Sequence, residues 1–251
     1  MSRIASAITQ MGEYIIFNYH LGSHLPGVRN RFYEILKQMK RVGFDSLLLI
    51  TVTSAFTGLV TSVQASYQTS GYIPTSLIGV LVAKSTMIEL APVLTGLVLA
   101  GKIGASIAAE IGTMKVSEQI DALQTMAIDP FDYLYLPRVI AGVLMFPLLT
   151  IFSNFIGIIS AFLLSVIKYD VNSFSFFFNM KNFFLPADLW GGLVKAALFG
   201  FIITSLGTYF GSRTKDGAEG VGNAATVTVV YSSILVLITD FLVATLLFGA
   251  L

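Results

Sequence analysis

From Ser46 to Ala83 the chain carries not one charged residue. In hydrocarbon a helix satisfies its backbone N–H and C=O groups within one segment, so such a run is read as helix in lipid. A spanning helix needs about 20 mostly apolar residues. The run is too long for one span and breaks at Ser70-Gly71-Tyr72-Ile73-Pro74, where Gly and Pro mark a turn. Span 1 is therefore expected over 46–68 and span 2 over 76–101. The same reading places span 3 within Val139–Ile167, span 4 at 190–212 and span 5 at 225–248. Composition agrees: 12% of residues are charged, against about 25% in soluble domains, and the mean hydropathy is +0.80. The expectation is an all-α integral membrane protein forming a single domain over 1–251. Residues 1–45 form an N-terminal interfacial segment and 46–251 the transmembrane part.

Several classes are excluded. A net charge of +1 does not suit binding of nucleic acid by a basic surface. The absence of cysteine removes disulfide frameworks, thiol nucleophiles and thiolate metal sites. Met1–Gln10 lacks a basic region followed by an apolar core, so no signal peptide is expected. Basic residues gather on one side of the spans: Arg3, Arg29, Arg31, Lys37, Lys40 and Arg41, then Lys102, Lys115 and Arg138, then Arg213 and Lys215. The other side has Lys168 and Lys181. By the positive-inside rule the N-terminus is cytoplasmic and the C-terminus lies outside.

Two segments outside the spans are amphipathic. In Arg29–Arg41, Phe32, Ile35, Leu36 and Met39 follow helical spacing with basic residues opposite, which suits a helix in the membrane interface. In Glu110–Ala127, Val116, Ile120, Leu123 and Ala127 share a face, and Asp129-Pro130 and Pro137 close the segment. It is too charged to cross a bilayer and too regular for a loose loop. His20 and His24 fall in what reads as a polar N-terminal loop and supply too few ligands for a metal. Asp216–Gly220 reads as an ordinary turn. Asn172–Phe184 is rich in phenylalanine, as expected of a segment on the outer leaflet or one meeting an external partner.

Within the spans, Glu89 is the sharpest residue. An ionisable group at membrane depth costs a few kcal/mol and faces a cavity or a partner; a structural pair with Lys84 is the competing reading. Asp240 raises the same question, but its closeness to the C-terminus favours an interfacial position. Gln64 and Gln68 share a helix face, which suits either a polar cavity or hydrogen bonding between helices. The many Ser and Thr of span 1 can bond back to their own helix. Gly96, Ala100, Gly104 and Ala108 recur every fourth residue, and Gly101, Ala105 and Ala109 follow on the neighbouring face, as in close helix packing in lipid. Gly96–Ile103 nearly matches a phosphate-binding loop, but Ile103 replaces the magnesium-binding hydroxyl and no strand–loop–helix context exists, so ATP is not expected to bind here.

Taken in order, Glu89-Leu90-Ala91-Pro92, Ala100–Gly104, Ala109–Met114, Ser117–Leu123, Asp129-Pro130, Pro137-Arg138, Thr226–Ser233 and Thr239-Asp240-Phe241 resemble the MlaE/YrbE permeases of MCE-type ABC lipid transporters. The resemblance covers nearly the whole chain. It implies an interfacial N-terminal helix, five spans, a permease homodimer, a cytoplasmic ATPase dimer that holds ATP and magnesium, and a periplasmic MCE-domain hexamer. The chain itself then has no cofactor and no enzymatic activity. The implied substrate is phospholipid, with Thr61, Gln64, Gln68, Tyr72 and Glu89 near its cavity. The implied setting is a bacterial inner membrane, or a plastid inner envelope. The segment between spans 2 and 3 becomes a coupling helix over Glu110–Met126, with Glu110, Thr113, Met114, Glu118, Gln119, Asp121 and Ala122 toward the ATPase. Against the family pattern, Ile88 stands where Arg is common, Ala91 where Gly is, Lys102 where Arg is, and Lys84 is unexpected. A proton-coupled secondary transporter using Glu89 is the rival reading, but five spans without an obvious repeat do not favour it. A non-transporting scaffold is the third.

Overall fold

The computed structural model describes residues 3–69, 74 and 77–248. Tyr72, expected near the cavity, lies outside them. Among the described residues all the regular structure is helical. In chain order the helices are α1 (Arg3–Ser23), α2 (Phe32–Gly43), α3 (Leu47–Thr69), α4 (Ile78–Ser85), α5 (Ala91–Leu99), α6 (Ala105–Val116), α7 (Gln119–Thr125), α8 (Leu136–Tyr169), α9 (Ser173–Asn182), α10 (Pro186–Ser212) and α11 (Gly217–Phe248). Short π-helical turns at Thr86–Leu90 and Ala100–Gly104 join α4, α5 and α6, and a third at Phe131–Tyr135 precedes α8. Among the described residues five stretches are long and apolar enough to cross a membrane: Phe32–Thr69, Ile78–Val116, Phe131–Tyr169, Pro186–Ser212 and Gly217–Leu247. These are the five expected spans, most of them with longer helices than hydropathy outlines. This is a multi-pass all-α membrane protein.

The chain divides into two units, and every span contributes to both. One consists of Met1–Val42, Leu99–Leu144 and Gly200–Leu235; the other of Gly43–Val98, Met145–Phe199 and Val236–Leu251.

In the first unit the N-terminal segment is ordered by aromatic packing. Residues 3–23 form a helix that includes His20, which the sequence places in a polar loop. The cause is tertiary. Phe17 is buried against Phe131, Tyr135 and Tyr209, at ring-centre distances of 5.2, 5.6 and 5.6 Å. Tyr14 hydrogen-bonds Ser205 at 2.6 Å, and Glu13 pairs with Arg213. The small residues of α6 pack within the chain: Gly104 abuts Ile203 and Thr228, and Ala108 is fully buried. Gly101 is different, being exposed with open space where a Cβ would stand, so its side of the expected stripe does not pack within the chain.

In the second unit α3 and α8 run in the same direction along a seam of small residues. Ser54 bonds Ser153 at 2.7 Å, Ser62 bonds Ser165 at 2.9 Å, and between them Gly58 lies directly on Gly157. Spacing of four residues lets two helices approach closely in lipid. The remaining span 1 hydroxyls behave locally. Thr51, Thr57, Thr61 and Thr69 donate to carbonyls one turn back. Gly96 abuts Phe199 and Val236, and Ala100, across the unit boundary in sequence, is fully buried. Helix α9 is capped by Asn172, whose side chain accepts from the Phe174 and Ser175 N–H groups, and is pinned by the fully buried Phe176.

Candidate functional site

A cavity of about 350 Å³ in the second unit is lined by Thr61, Gln64, Ala65, Gln68, Leu81, Ser85, Glu89 and Leu90. Four of the five residues expected on the substrate path therefore meet in one place. Gln64 and Gln68 come from α3 and are exposed; Ser85 ends α4; Thr61 is buried, with its hydroxyl turned to the Thr57 carbonyl. Glu89 sits inside the π-helical turn Thr86–Leu90. A π turn widens the helix by one residue and changes where the next side chains point, and such turns are frequent at functional sites.

Behind the cavity lies an ion triad that sequence reading missed. The Lys195 ammonium, from α10, is fully buried and stands 2.6 Å from Glu89 Oε1 and 2.9 Å from Asp240 Oδ1 of α11. Glu89 keeps 40% of its side-chain surface accessible, Asp240 only 19%. A buried ammonium is tolerated when paired with good geometry, and here two carboxylates share it. Asp240 thus belongs to the triad, a pairing that its position near the C-terminus did not suggest. Lys84 does not pair with Glu89 either: its ammonium lies 3.5 Å from Asp188 Oδ2. The signal for Lys195 was present as a lone cation within the apolar stretch Gly191–Phe199, which an intramembrane charge rule flags.

In the first unit the expected coupling helix proves to be two helices. Glu110–Val116 continues α6, the chain turns at Glu118 with φ 60°, and α7 starts at Gln119. The Ser117 N–H bonds the Thr113 carbonyl and the Glu118 N–H the Lys115 carbonyl, which ends α6. Lys115 then bridges the elbow to Asp121 at 2.8 Å. Ile120 is buried and anchors α7, while Glu118, Gln119, Asp121 and Ala122 are exposed. Thr113 is exposed and Met114 partly so. Glu110, expected toward the ATPase, is paired within the chain. One carboxylate oxygen accepts from Arg138 Nη2 at 2.9 Å and the other from Arg41, whose second nitrogen reaches Ser106. Arg138 is almost fully buried and also donates to the Leu134 carbonyl.

The family model described as "Permease MlaE" matches residues 35–246. The chain belongs to the MlaE permease family. The permease is 41% identical over 240 residues to a "probable ABC transporter permease protein" of Rickettsia felis, covering 95% of this chain and 92% of that one. It is 36% identical over 238 residues to the "intermembrane phospholipid transport system permease protein MlaE" of Haemophilus influenzae, covering 94% and 90%. It is 36% identical over 213 residues to the chloroplastic protein "trigalactosyldiacylglycerol 1" of Arabidopsis thaliana, covering 85% and 61%.

The N-terminal segment of the permease is tied to the residues just after α7. His24, which sequence reading left without a role, has both ring nitrogens facing acceptors: the His20 carbonyl at 2.8 Å and the Asp129 carboxylate at 2.9 Å. The His20 carbonyl first, and Asp129 with it, hold the imidazole above its ordinary pKa, because both bonds form only when both nitrogens carry protons. Arg31 pairs with Asp132 at 2.6 Å beside it.

Proposed function

We propose that this permease is the membrane subunit of an ABC transporter that moves phospholipid between the bacterial inner membrane and a periplasmic MCE-domain hexamer. Two copies form the membrane unit. A cytoplasmic ATPase dimer binds ATP and magnesium, and this chain hydrolyses nothing. The N-terminus is cytoplasmic and the C-terminus periplasmic.

The observation that carries this reading is the cavity that gathers Thr61, Gln64, Gln68 and Glu89 beside apolar walls. Amides, hydroxyls and one carboxylate next to leucine and alanine suit a molecule with a polar head and an apolar body. The exposed face of α7, on the elbow after α6, supports docking of the ATPase. Because α4 to α6 form one span, Ile78–Val116, movement of the elbow has a covalent route toward Glu89.

The test is transfer of a fluorescent phospholipid from vesicles holding the full complex to an acceptor MCE protein. Transfer is expected to need nucleotide. The double variant Gln64→Leu, Gln68→Leu is expected to lower transfer about tenfold with basal ATPase activity unchanged, as two lost polar contacts would. Transfer driven by a proton gradient without nucleotide would favour Glu89 as a proton carrier and overturn the reading. Reversing the charges of α7, with Glu118→Lys and Asp121→Lys, is expected to leave the ATPase running while transfer falls to background. Equal coupling in that variant would remove α7 from the role.

A further inference from the structure

The first unit holds a second cavity, of about 270 Å³, which the proposed function does not use. Its walls include Leu21 and Gly22 at the end of α1, Leu25 just after it, Val139 and Val143 of α8, and Phe201 of α10. Asn18 is its polar lining residue, and the Asn18 Oδ1 atom is buried with no donor from the chain.

The contents of this groove follow from its walls. It has room for several waters, but each buried water needs about 2–4 polar partners, and the lining offers one. The volume is also below the range of roughly 300–1,000 Å³ that encloses a whole small molecule. It suits part of a molecule, and an apolar part. The adjoining surface names the medium. Met11, Ile15 and Tyr19 recur every fourth residue on α1, and all are exposed at 66% or more. Gly22 continues their row into the groove. An unbroken row of large exposed apolar side chains marks a partner or a membrane. On a helix packed against the start of a spanning helix, it marks the boundary between headgroups and acyl chains.

We infer that this groove holds one acyl chain of a membrane phospholipid, in the leaflet on the N-terminal side of the bilayer. The site is formed by α1, α8 and α10 of one chain and is separate from the cavity at Glu89. It therefore does not depend on the transport reading.

Gly22 provides a clean test, because a Cβ there meets nothing within 4 Å. Gly22→Leu adds a branched side chain at the groove, starting from a Cβ that meets no neighbour. Gly12, on the same helix and equally open, gives the control Gly12→Leu. The full chain is reconstituted in vesicles of phosphatidylethanolamine and phosphatidylglycerol, with a phosphatidylethanolamine that carries a diazirine on its acyl chain. After illumination, cross-links are mapped by mass spectrometry. They are expected in 18–25 and 136–144. Gly22→Leu is expected to reduce them about tenfold, the effect of excluding roughly two methylenes, while Gly12→Leu and labelling elsewhere stay unchanged. Equal labelling of these peptides in the Gly22→Leu variant overturns the inference. So does labelling no denser than at the exposed Leu148 and Leu163 of α8.

Discussion

Lys195→Met is expected to unfold or severely destabilise the permease in detergent, whereas neutralising the whole triad is expected to restore it. The ammonium is fully buried between Glu89 and Asp240. Methionine matches its length but leaves two carboxylates beside one another without a cation. Removing one partner of a buried ion pair costs about 3–5 kcal/mol. Most of that falls on Asp240, since Glu89 is partly open to the cavity and is screened there. Glu89→Gln alone leaves a one-to-one pair of Lys195 with Asp240 and is expected to cost little. The triple variant Glu89→Gln, Lys195→Met, Asp240→Asn has no buried charge to strand, and its stability is expected near that of the parent. Thermal unfolding of the purified variants gives the order. A Lys195→Met protein as stable as the parent would show that the triad is not holding the second unit.

Gly58→Ala is expected to be nearly as damaging, although it adds a single methyl. A Cβ on Gly58 would overlap the Gly157 carbonyl oxygen and stand 2.8 Å from its carbon. Both partners are backbone, and the seam is closed above and below by Ser54–Ser153 and Ser62–Ser165. No side chain can rotate away, so α3 and α8 must separate. Overpacking costs about 1–3 kcal/mol when side chains give way, and the top of that range is expected here. The control is Gly12→Ala, where the new methyl meets open space. Equal unfolding temperatures for Gly58→Ala and the parent would mean that the seam is looser than its geometry implies.

The same residues show what can be read from order along the chain. The charge-free run from Ser46 to Ala83, and the later apolar runs, are local sums of hydropathy, so the five spans follow without tertiary information. The rows Gly96–Ala108 and Gln64–Gln68 are also local, since helical spacing alone puts their members on one side. The break at Glu118 escaped because the residues around it, Lys115 to Ile120, include neither Gly nor Pro. A non-glycine residue takes a left-handed φ only when its surroundings require it. Helix α1 escaped because its packing partners, Phe131, Tyr135 and Tyr209, are distant in the chain.

Sequence alone determined that this chain crosses a membrane five times, that Glu89 is exceptional, and that α6 leads into an amphipathic segment. Only the tertiary structure decided what Glu89 pairs with, because Lys195 is 106 residues away. It also decided that Glu110 is held by Arg41 and Arg138. The physical reason is the same in both cases. Burial in lipid is a property of a segment and adds up residue by residue, whereas satisfying a buried charge takes a specific atom within about 3 Å. Nothing in the order of residues says which helix will bring that atom.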